Sequence, residues 1–176
     1  MQPLAIVFFA SLAGFSSLPA AAQCLSLSSL QALGTEAVSQ STVPPTIVSQ
    51  VLASTEWQYL GPVGNTKELS WNSVITNQEI PAVRLSLRPV LGRYDVVLKT
   101  ADASCVRLLR QELSARKLKP KPITCPDCLG QRYALPAGAT LSFYSNMKGA
   151  YPLVVVFHPA ETPAADANKA ATTRNP

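Results

Sequence analysis

Four cysteines are the residues best suited to chemistry: Cys24, Cys105, Cys125 and Cys128. Cys125-Pro126-Asp127-Cys128 has Cys-x-x-Cys spacing, which serves three different ends. As a thiol–disulfide redox pair it needs its first sulfur at a helix N-terminus, where the dipole lowers the thiol pKa. Leu129-Gly130 follows at once and Pro136 comes soon after, so a helix of useful length is not expected. As half of a zinc site the motif needs a second pair of ligands. There is no second Cys-x-x-Cys, and the lone histidine, His158, stands beside Pro159. Cys125, Cys128 and His158 together would still lack a fourth ligand. As structure, Pro126 and Asp127 suit the two central positions of a type I turn, which brings its ends close enough to bridge. Four cysteines in an oxidising compartment suggest two disulfides, with three possible connectivities. The expected pairs are Cys125–Cys128 and Cys24–Cys105.

The compartment is read from the N-terminus. Leu4 to Ala13 is apolar apart from Ser11, and Gly14, Ser16, Ser17 and Pro19 end the run. Ala20-Ala21-Ala22 then offers the small side chains that signal peptidase accepts. The expectation is a signal peptide over residues 1–22, cut near Ala22, although no Lys or Arg precedes the apolar run. That run is shorter than the ~20 residues needed to span a bilayer. A lipid anchor on Cys24 would want a small residue before it, and Gln23 stands there instead. The chain therefore reads as secreted or periplasmic, with no transmembrane segment after cleavage. The absence of an Asn-x-Ser/Thr sequon favours a bacterial envelope over a glycosylating secretory route.

A second cluster is basic. Between Arg107 and Lys121 stand Arg107, Arg110, Arg116, Lys117, Lys119 and Lys121 against a single acid, Glu112. Arg107, Arg110 and Lys117 share a helical face by their spacing, and that face suits an anionic envelope component or another envelope protein. The competing reading is a solvated helix face. Nucleic acid would want aromatics interleaved with the cations, and this stretch has none. The net charge of +5 permits anionic partners without requiring them. Trp57, Tyr59 and Trp71 could line a groove, but such residues more often fill a core. No Gly-x-Ser-x-Gly, His-Glu-x-x-His or phosphate-cradling Gly loop occurs, and no cofactor is implied.

These residues need a frame to hold them. Leu25, Leu27, Leu30 and Leu33 suit a short helix ending at Gly34, capped by Ser26 or Ser28. Pro44-Pro45 opens a second candidate helix through Leu52. Strands are expected at Trp57 to Val63, Glu68 to Ile75, around Val83, Leu85 and Leu87, and at Tyr94 to Lys99. Asp102 to Leu118 reads as an amphipathic helix with Val106, Leu109 and Leu113 on one face. Residues 119–130, rich in proline, read as a loop. Strands follow at Gln131 to Leu135, Ala139 to Ser145 and Tyr151 to His158, the last apolar on both faces and so central. No internal repeat of convincing length is visible. The expected fold is α+β: a mostly antiparallel sheet of six to seven strands with two or three helices on one face. The expected domain spans residues 23–159, and a polar tail, residues 160–176, is expected to be disordered. Function is expected to be non-enzymatic binding or scaffolding in the envelope. The alternative is redox chemistry at Cys125 and Cys128.

Overall fold

The computed structural model describes residues 24–35, 51–52, 57–63, 67–74 and 80–160. The expected signal peptide, most of the proline-led second helix and the tail from residue 161 onward lie outside those residues.

Strand chemistry dominates the rest. Helix α1 (Leu27–Thr35) precedes β1 (Trp57–Pro62), β2 (Leu69–Ser73), β3 (Val83–Val90) and β4 (Arg93–Thr100). Helix α2 (Ala103–Ala115) precedes β5 (Pro120–Ile123), β6 (Leu129–Ala134), β7 (Thr140–Ser145) and β8 (Leu153–His158). All eight strands form one sheet in the order β1-β2-β3-β4-β8-β7-β6-β5, and every neighbouring pair is antiparallel. The sheet is thus wider than six to seven strands. The added strand, β5, arises in the stretch read as a loop. Pro120 and Pro122 are tolerated because β5 is an edge strand, where a missing N–H costs no ladder bond on the outer side.

The chain order hides a structural duplication. Each helix is followed by a four-strand antiparallel meander, and the two meanders meet at β4 and β8. The two halves thus share one order of elements, a helix and then four strands, and join through the antiparallel pairing of β4 with β8. The link from helix to first strand is residues 36–56 in the first half and residues 116–119 in the second.

Alternation decides the two faces. Leu85, Leu87, Val96, Leu98, Leu141, Phe143, Val155 and Phe157 point to one side and are buried there. Helix α1 packs on β4 and β8, and α2 on β8. Leu27, Leu30 and Leu33 close the core from α1, and Cys105, Val106, Leu109 and Leu113 from α2. Gly34 permits the closest approach, because a Cβ there would overlap the Phe157 ring. Trp71 is buried and lies against Tyr59 with ring centroids 5.0 Å apart, so the aromatic pair belongs to this core. Burial of Tyr59, reinforced by the nearby Tyr94 phenol, raises its pKa above the ordinary tyrosine value.

Both helices are capped from their own sequences. The Ser29 N–H donates to Ser26 Oγ at 3.1 Å, and the Ser104 N–H donates to Asp102 Oδ1 at 2.8 Å, satisfying donors that have no helical partner. The structure links Cys24 to Cys105 and Cys125 to Cys128. The first bridge ties the chain just before α1 to the first turn of α2, and so joins the two halves. The second closes the turn between β5 and β6, with Pro126 and Asp127 at its centre.

Candidate functional site

Among the described residues, the core side of the sheet is open at the start of β6 in the second meander. On β2, Leu69 and Trp71 are buried; on the corresponding strand β6, Leu129 and Gln131 of the same face are exposed. The link between α2 and β5 is too short to cover them. Val51 and Leu52, from the longer first link, do join the core, with Leu52 only 6% exposed.

The result is a groove between α2 and β5–β8, made of two adjoining concavities. The inner one, about 340 Å³, is bounded by Val106, Arg107, Arg110, Gln111 and Ser114 from α2 and by Phe143, Ser145 and Leu153 from the sheet. The outer one, about 650 Å³, runs along Pro122, Ile123, Cys125, Cys128, Leu129 and Gln131. They meet at Arg110 and Ser145, which line both. Among the described residues no carboxylate lines either.

Helical spacing explains the cations. Arg107 and Arg110 lie one turn apart and line the same wall. The Arg110 guanidinium sits 5.3 Å from the Phe143 ring centroid, where the ring face attracts it. Glu112, the one acid of the stretch, is engaged elsewhere: its Oε2 accepts the Leu27 N–H at 3.2 Å, at the positive end of α1. Asp127, on the Cys125–Cys128 turn, pairs with Lys148 at 2.8 Å. Lys117 is exposed past the end of α2, with φ of 57°, and lines neither concavity. Arg107 and Arg110 are therefore brought together, and Lys117 is not.

The cysteines do not form a metal centre in this geometry. Cys125 and Cys128 are bonded to each other in a hairpin turn, away from any described helix N-terminus. His158 pairs with Thr140 at one end of β7, whereas Leu129, next to Cys128, pairs with Ser145 at the other end. Cys24, Asp102 and Cys105 lie close enough to share an ion, but both sulfurs are tied in the Cys24–Cys105 bridge.

A feature the sequence did not reveal lies on the helix-free face. His158 Nδ1 is 3.0 Å from Asp95 Oδ2, across the junction of β8 and β4. The pair lines a cleft of about 540 Å³ with Arg93, Arg132 and Thr140. Only the pairing of β4 with β8 brings these two residues together; the one advance signal was that both fall on the non-core side of their strands. Thr140 supplies the only side-chain hydroxyl among the described lining residues, and Asp95 offsets part of the positive charge. The cleft is more nearly charge-balanced than the groove.

Among the described residues no helix is long and apolar enough to cross a membrane. Comparison with protein-family models, with curated proteins and with solved structures finds no match to this chain in any of the three.

Proposed function

We propose that the chain is an exported, non-enzymatic binding domain that takes an anionic partner in the groove between α2 and β5–β8. One observation carries the reading: Arg107 and Arg110 line a concave, partly apolar surface that no carboxylate among the described residues lines. Concavity and low-dielectric walls focus the field of such charges and raise the local concentration of a counter-charged ligand. The two disulfides suit an oxidising compartment outside the cytoplasm.

Titration of inorganic polyphosphate into isotope-labelled domain, read by amide chemical shifts, tests this. The first and largest shifts are expected at Arg107, Arg110 and Ser145, and they shrink as salt is raised. Shifts concentrated instead on the helix-free face, around Arg84, Arg88 and Lys99, would place the anionic site elsewhere and overturn the reading.

A further inference from the structure

The duplication says what kind of ligand the groove is shaped for. In the first half the link of residues 36–56 sends Leu52 into the core, and Leu69 and Trp71 on β2 are covered. In the second half the link is residues 116–119, and Leu129 and Gln131 on β6 are open. In the first half Val51 and Leu52 of that link pack against the core; in the second half no described residue of the 116–119 link lines the groove.

Three features of the groove favour polypeptide over a small anion. Its two concavities, about 340 and 650 Å³, exceed what one phosphate needs and reach the size of sites that enclose whole ligands. Its floor is apolar at the half-buried Leu153 and continues to the exposed Leu129, so side chains can anchor there. Its walls carry neutral hydrogen-bonding groups at Gln111, Ser114 and Ser145, which can meet main-chain amides along an extended or helical segment. Charge completes the specification, because no acid among the described lining residues opposes Arg107 and Arg110.

From this we infer that the groove docks an acidic peptide segment of a partner protein, seating an apolar side chain against Leu129 and a carboxylate against Arg107 and Arg110. A second copy of this chain is disfavoured by its own net charge of +5. This inference rests on the proposed anionic groove and narrows its ligand.

A phage-displayed library of random peptides, panned on the full purified chain, tests it. Enriched peptides should combine Asp or Glu with a large apolar residue. Synthetic versions, followed by fluorescence anisotropy, should lose about tenfold or more in affinity against the Arg107→Glu/Arg110→Glu variant and change less than threefold against Lys117→Glu. Circular dichroism checks that the variants are folded, and Arg107→Lys/Arg110→Lys should retain most of the binding. No enrichment, or enriched peptides indifferent to the double reversal, overturns the inference. Inorganic polyphosphate and phosphatidylglycerol vesicles are run with the same variants. Arginine-dependent binding of those probes without acidic-peptide binding leaves the anionic groove standing and removes only the peptide. Loss of all three removes both.

Discussion

Replacing Cys24 and Cys105 together by alanine should be the most costly of the two possible bridge removals, and the structure gives its size. The two cysteines lie 81 residues apart, so the bridge closes a long loop in the unfolded chain. Chain-entropy scaling puts the lost constraint at about 4.5 kcal/mol. Cys125 and Cys128 are 3 residues apart, and the same scaling puts their bridge at about 2 kcal/mol. Alanine is the right replacement because Cys105 is fully buried, and a serine hydroxyl there would add a desolvation cost of its own. With a urea slope of about 2 kcal/mol per molar, the midpoint should fall by roughly 2 M for the long bridge and roughly 1 M for the short one. Equilibrium urea denaturation followed by tryptophan fluorescence measures both, since Trp71 lies in the core. Equal shifts, or a larger shift for Cys125→Ala/Cys128→Ala, would refute the idea that the long bridge chiefly restrains the unfolded chain.

Other consequences can be checked in the same protein. Gly34→Ala places a methyl against the Phe157 ring; despite alanine's better helix propensity, thermal unfolding should show a net loss of about 1–2 kcal/mol, partly recovered by adding Phe157→Leu. Asp102→Ala removes the acceptor for the Ser104 N–H and should cost about 1 kcal/mol, read from the same urea curves. Tyr59 ionises above the ordinary tyrosine range because burial, helped by Tyr94, disfavours its phenolate. In the unfolded chain it loses its proton near pH 10, so stability is intact below that point and falls as pH rises through the folded-state value. Ultraviolet titration of phenolate absorbance in wild type and Tyr59→Phe should isolate this late ionisation; a difference titrating at or below pH 10 would contradict it.

Much of the architecture was legible because strand alternation is a local signal. Val83, Leu85 and Leu87 point to the core and Arg84 and Arg88 away from it, and the run Leu153 to Phe157 occupies the sheet between β4 and β7. β5 was hidden for a physical reason: Pro120 and Pro122 argue against a central strand and are silent about an edge. The duplication was hidden because the halves share connectivity and differ in side chains, as Trp71 on β2 and Gln131 on β6 illustrate. For the site, helical spacing placed Arg107 and Arg110 on one wall, yet nothing local revealed that Leu129 and Gln131 on β6 would be exposed beside them. That follows from the short 116–119 link combined with the order of β5 to β8, which is a property of the whole fold. Lys117 was grouped with the two arginines on helical spacing, but α2 ends at Ala115 and the backbone turns away before reaching it. His158 meets Asp95 only through long-range strand pairing.

The affinity of the folded domain for inorganic polyphosphate, compared between wild type and Arg107→Glu/Arg110→Glu at low and physiological salt, tests the central claim most directly. Each reversal replaces an attraction worth about 1 kcal/mol or less at a partly exposed site with a repulsion, so the pair together should weaken binding at least about tenfold. The same salt increase should cost the wild type more than the variant. Affinities within twofold of each other, with equal salt dependence, would contradict the claim that this groove is where the protein meets its partner.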